Sequence, residues 1–102
     1  MPYLLQVDFP FPGPWGDELS SALRGLAESI ANEPELIWKI WTENQADGEA
    51  GGIYLFSTQA AAEAYLAMHR QRLREFGIAT VNGKIFQVNQ TLSLIDRAPL
   101  GV

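Results

Sequence analysis

The sequence contains no cysteine and a single histidine, His69. Without cysteine there are no disulfides, no thiolate nucleophile, no CxxC redox pair and no Cys-ligated zinc or iron–sulfur centre. With one histidine, a single chain cannot supply the two-His set of a non-haem iron oxygenase or a three-His zinc site. Glycine-rich phosphate loops are missing as well, since Gly48, Gly51 and Gly52 follow neither GxGxxG nor Walker spacing. The expected protein carries no metal, flavin, haem or nucleotide cofactor. Positive charge is also scarce: Lys and Arg total 7 against 12 Asp and Glu, a formal net charge of −5, and only Arg70, Arg72 and Arg74 run together. Nucleic acid and anionic membrane surfaces both demand a basic footprint, so neither is an expected partner. No apolar run approaches the roughly 18 residues of a membrane span, and no basic and apolar leader is seen, so a cytoplasmic location is expected.

What is present suits one folded domain. Hydrophobic residues make up 47% of the 102 positions and charged residues 19%, with three Trp, three Tyr and five Phe. A chain of this length can bury one core but not two, so residues 1–102 are read as a single domain.

Tyr3 to Phe9 reads as a first strand, ended by the cluster Pro10, Pro12, Gly13 and Pro14. From Asp17 to Asn32, Leu19, Leu23, Leu26 and Ile30 share one helical face, with Asp17 and Glu18 suited to the positive N-terminal end. Leu36 to Asn44 is a second strand, apolar on both faces, and Asp47-Gly48 turns it back into a third over Gly51 to Phe56. Thr58 to Phe76 is a second helix, with Thr58 or Ser57 as N-cap and Gly77 as its stop. Its inward stripe is read as Ala61, Ala62, Tyr65, Met68, His69, Leu73 and Phe76. Ile78 to Asn89 forms a last strand, either continuous with a bulge at Asn82-Gly83 or split there into a tight hairpin. Thr91 to Ala98 closes as a short helix.

The order β-α-β-β-α-β is the split βαβ arrangement: an α+β, ferredoxin-like fold with a four-stranded antiparallel sheet and both helices on one face. The other sheet face has no helix to cover it. Strands apolar on both sides predict that this face meets a second copy, giving a homodimer.

Several blocks, among them Gly13-Pro14-Trp15-Gly16-Asp17, Trp38-Lys39-Ile40-Trp41-Thr42-Glu43 and Glu49-Ala50-Gly51-Gly52-Ile53-Tyr54-Leu55-Phe56, are similar in order and spacing to the YdhR family over roughly residues 3 to 97. The resemblance implies a dimeric α+β barrel, a superfamily that includes cofactor-free quinone-forming monooxygenases and haem-degrading enzymes. It also implies a pocket between the sheet and the helices.

Tyr65 and His69 lie four residues apart on the second helix and so point toward that pocket together. A phenol and an imidazole there could remove a phenolic proton from a small aromatic ligand, and they are the candidate catalytic pair. The competing reading is a core tyrosine and a rim histidine. Trp38, Trp41 and Tyr54 are the candidate ligand contacts; strand parity sends Trp38 and Trp41 to opposite faces, so only one of them can reach the pocket. Lys39 and Glu43 share a face and read as an ion pair. Gly51-Gly52 reads as a bulge, and Phe9 to Trp15 as either a lid or a proline-braced crossing. The expected activity is cofactor-independent monooxygenation of a phenol- or quinol-like compound, with non-catalytic binding of a small hydrophobic ligand as the alternative. Haem degradation would want an asparagine on the first strand, which offers Gln6 and Asp8 instead.

Overall fold

Proline sets the first boundary and glycine the closest contacts. The computed structural model describes residues 1–101. Strand β1 spans Tyr3–Pro10, one residue into the proline cluster, because Pro10 needs no ladder donor as the last paired residue opposite Glu49. Strand β2 (Leu36–Asn44) and strand β3 (Glu49–Phe56) form a hairpin whose turn closes by the Gly48 N–H donating to the Gln45 carbonyl at 3.2 Å, with Gly48 at φ +65°. Strand β4 covers Asn82–Gln87. The sheet order is β2-β3-β1-β4, antiparallel throughout, so the first strand made lies inside the sheet.

The single first helix expected from Asp17 to Asn32 is two short ones, α1 (Gly16–Ala22) and α2 (Arg24–Ile30). Leu23 leaves helical geometry at φ −106° and ψ 11°, just before Gly25, a residue that holds a helix weakly. The apolar face survives the break, since Leu19 and Ile30 are both buried. Helix α3 (Gln59–Glu75) is capped as the sequence indicates: Thr58 Oγ1 accepts from the Ala61 N–H at 3.2 Å, and Gly77 takes φ +87°. Its buried stripe is Ala62, Tyr65, Leu66, His69 and Leu73, whereas Met68 and Phe76, expected inward, are exposed. Helix α4 (Gln90–Ile95) is capped by Asn89 and stops short of Ala98.

Three glycines correct the sequence reading through space rather than turn-forming. Gly51 and Gly52 are regularly paired on both sides; the irregularity in this hairpin falls instead between Leu36 and Trp38. A Cβ on Gly51 would run into the Val7 carbonyl oxygen, and one on Gly52 would lie 2.7 Å from Lys39 Cε. Asn82-Gly83 is neither bulge nor hairpin but the start of β4, paired with Asp8 and Val7. Gly83 lets α3 approach, since its Cβ would sit 2.5 Å from Leu66 Cδ1. Residues 78–81 carry no ladder, so the last strand is half the length expected.

The core lies between one sheet face and the helices, built from Leu5, Val7, Tyr54, Phe56, Tyr65 and Ile30 with Ala62 and Leu66. The result is the ferredoxin-like α+β fold. On the opposite face Trp38 Nε1 donates to the Pro99 carbonyl at 2.6 Å, while Ile40 and Phe86 stand exposed. Among the described residues no helix is long and apolar enough to cross a membrane.

Candidate functional site

A cavity of about 610 Å³ opens between β2 and β3 on one side and α1, α2 and the end of α3 on the other. Its walls are mainly apolar, with Phe9, Phe11, Leu19, Leu26, Trp41 and Leu73 among them, and Lys39, Glu43 and His69 supply the ionisable groups. The volume suits one small ligand. The crossing from Phe9 to Gly13 forms a wall held by edge-to-face contacts, Phe9 to Phe11 at 6.1 Å and Phe11 to Trp15 at 5.5 Å, and by the Phe11 N–H donating to the Gly48 carbonyl at 2.7 Å.

Behind His69 runs a buried polar chain. Arg72 Nη2 lies 2.8 Å from His69 Nδ1 and 3.0 Å from the Tyr65 hydroxyl, which donates to the Tyr54 hydroxyl at 3.2 Å; His69 Nε2 reaches the same oxygen at 3.4 Å. A guanidinium only donates, so Nδ1 must carry the lone pair and Nε2 the hydrogen. Burial first, then the charges of Arg72 and Lys39, lower the His69 pKa to about 3, and the imidazole is neutral. Burial likewise raises both tyrosines, Tyr54 well above the usual phenol range. Where the sequence suggests an imidazole lone pair facing a phenol, the structure places the Arg72 guanidinium on it.

Trp41 lines the cavity, and Trp38 does not: it lies on the far sheet face, tied to Pro99. Tyr54 and Tyr65 are buried beneath His69, their rings 4.8 Å apart. The expected Lys39–Glu43 ion pair is not formed. Glu43 Oε1 instead accepts from the Gly16 N–H at 2.8 Å, where α1 begins. Lys39 crosses the space left by Gly52, and its Nζ rests 3.3 Å from the centroid of the Trp41 ring and 4.5 Å from that of Tyr54. Burial, with Arg72 adding to it, lowers the Lys39 pKa to about 7.

Arg72 is the residue that sequence reasoning missed. Its spacing from His69 and Tyr65, three and seven positions along one helix, was the available signal. Among the described residues no group of three His, Asp or Glu side chains is placed to hold a metal ion.

No curated protein sequence matches this one. Solved structures do. A variant of SnoaB, a cofactor-independent oxygenase from Streptomyces nogalater, aligns with a TM-score of 0.62 at 20% identity, covering 89% of this chain and 96% of that one. Rv0793 from Mycobacterium tuberculosis aligns at 0.53 and 20% identity over 86% of this chain and 95% of that one. A "putative antibiotic biosynthesis monooxygenase" from Deinococcus radiodurans aligns at 0.54 and 13% identity over 87% and 93%. At these identities the likeness is one of fold. The family model described as "Putative mono-oxygenase ydhR" matches residues 4–99, nearly the whole sequence, and the chain belongs to that family.

Proposed function

We propose that this protein is a cofactor-independent monooxygenase of a small phenol- or quinol-like aromatic compound, working as a homodimer. The observation that carries the reading is the cavity itself, an apolar slot with Trp41 on its wall and a polar end made by His69 and Lys39. A flat ring fits the walls and its hydroxyl the polar end. Molecular oxygen is the oxidant in such a reaction: the substrate gives up two hydrogens, gains one oxygen atom, and the other leaves as water. The protein's part is to hold the ring, exclude water and manage the phenolic proton. The fold neighbour described as a cofactor-independent oxygenase supports this reading.

His69 is the residue proposed to act on the hydroxyl, and Tyr65, which does not line the cavity, to act through the imidazole. For His69 to take a proton, Arg72 has to release Nδ1; until then the imidazole and the two tyrosines orient rather than ionise. That locked lone pair is what favours the second reading, a dimer that binds a small hydrophobic ligand without turning it over. Oxygen uptake by the purified protein across a panel of hydroquinones and anthrones separates the two. Uptake above the protein-free rate supports the oxygenase, and binding without uptake removes it.

Ile40 and Phe86, 54% and 42% exposed on the far sheet face, support the homodimer. Sedimentation at micromolar concentration should give twice the 11.3 kDa chain mass, and a clean monomer would remove that part of the proposal.

A further inference from the structure

Among the described residues Lys39 is the one Lys or Arg that lines the cavity, and it makes no ion pair there. The single ion pair among the described residues joins Arg24 to Glu28, far along the sequence on α2. Glu43, the carboxylate on the same wall, is committed to the Gly16 N–H. The charge that acts on it is again positive: Arg72 depresses the Lys39 pKa, and its Nη2 hydrogen-bonds to neutral partners, His69 Nδ1 and the Tyr65 hydroxyl, while its buried Nε has no partner among the described residues. A chain with a formal charge of −5 therefore places Lys39 on the wall of this cavity without an ion-pair partner among the described residues, with the Arg72 cation behind it and the one wall carboxylate, Glu43, turned to the Gly16 N–H.

Such an arrangement costs stability, because a partly buried charge without a counterion loses hydration that nothing replaces. The aromatic rings of Trp41 and Tyr54 offset part of this through cation–π contact, but ring faces leave ammonium N–H donors unspent. The path of the side chain is itself built for the position. Lys39 reaches the cavity across Gly52, where a methyl group would lie 2.7 Å from Lys39 Cε.

We propose that Lys39 pairs with the ionised oxygen of the ligand, so that the cleft takes an aromatic oxyanion, a phenolate or enolate, in preference to the neutral phenol. The assignment rests on the cleft being the ligand site, as proposed above, and names the charge state of what enters it. The ammonium would meet the oxyanion at the end of the slot with the ring against Trp41. A Lys39 pKa near 7 agrees with a group whose proton is held loosely until an anion arrives.

The test is binding, independent of turnover. At pH 7 the probes are 4-nitrophenol, whose phenolate absorbs apart from the phenol, and its neutral methyl ether, 4-nitroanisole. The wild-type protein should hold the nitrophenol as phenolate, about tenfold or more tighter than the ether, the factor expected of one charge-assisted hydrogen bond. Lys39→Met should bring the two within about twofold while keeping the affinity for the ether, and Lys39→Arg should retain the preference. Equal wild-type affinities, binding of neither probe, or a Lys39→Met chain that keeps the preference overturns the assignment. If Lys39→Met does not fold, the wild-type spectrum decides alone: bound nitrophenol absorbing as phenol overturns it. Phenolate preference without oxygen uptake in the substrate panel would keep this assignment and remove the oxidative reading. Oxygen uptake without the preference would do the reverse.

Discussion

Acidification tests the buried network directly, because only one histidine exists to respond to it. His69 is 4% exposed and held neutral, its pKa brought down from 6.5 to about 3 by burial first and then by Arg72 and Lys39. In the unfolded chain the same imidazole takes up a proton near pH 6.5. Between those two values the unfolded state holds a proton that the native state does not, so the stability is complete above pH 6.5 and drains away as the pH falls toward 3. Going from pH 7.5 to pH 5, the imidazole crosses about 1.5 pH units of that window at about 1.36 kcal/mol each, a loss of about 2 kcal/mol. For a domain of this size that is roughly 10 °C in Tm. Urea unfolding followed by circular dichroism at the two pH values, on wild type and His69→Gln, isolates the contribution. Glutamine can still hydrogen-bond but cannot titrate. Wild type should start the more stable at pH 7.5 and lose about 2 kcal/mol more than the variant by pH 5. Parallel losses in the two proteins would mean that native His69 takes up its proton over the same pH range as the unfolded chain, and the neutral, Arg72-bound imidazole would fall with it.

Gly51→Ala should cost about 3 kcal/mol or more, since the new methyl meets the Val7 carbonyl oxygen of the neighbouring strand rather than a yielding side chain; a melt within a few degrees of wild type would refute this. Tyr54→Phe leaves the Tyr65 hydroxyl and His69 Nε2 without their shared acceptor and should cost about 1 to 3 kcal/mol, read by the same urea titration. Once a substrate is in hand, His69→Ala should lower turnover by roughly 10²- to 10⁴-fold and Tyr65→Phe by less. Oxidation that survives His69→Ala intact would make the imidazole a packing residue.

Hydrophobic spacing and the proline and glycine punctuation were enough to read the first three strands, the long helix with its Thr58 cap and the sheet topology, but doubled the length of the last strand. What they could not show was where backbones approach each other. Gly51, Gly52 and Gly83 look like strand irregularities in sequence because a missing side chain is the same letter whether it permits a turn or clears room for Val7, Lys39 or Leu66. The long first helix looked continuous because its apolar face is continuous, and periodicity does not register a one-residue departure at Leu23. Strand parity correctly divided Trp38 from Trp41, yet the same parity suggested an ion pair of Lys39 with Glu43, where the chain uses Glu43 on the first turn of α1. The link from Arg72 to His69 passes unread because the three arginines read only as a run of positive charge, whereas Arg72 alone lies three and seven positions from His69 and Tyr65.

The place of β1 bears on how the chain is made. It is the first of these strands to be synthesised, and both of its edges must be filled by later ones, by β3 through Tyr3↔Phe56 and by β4 through Tyr3↔Gln87. At about 5–20 residues per second, several seconds pass between the appearance of Leu5 and Val7 and that of the strand that closes their second edge. Local contacts cannot bridge this interval, because neither partner of β1 is its neighbour in sequence, and pairing of such high sequence separation is slow. The nascent chain should therefore stay open to proteases and to other unfinished copies until β4 has left the ribosome, with the β2–β3 hairpin the earliest structure available to it.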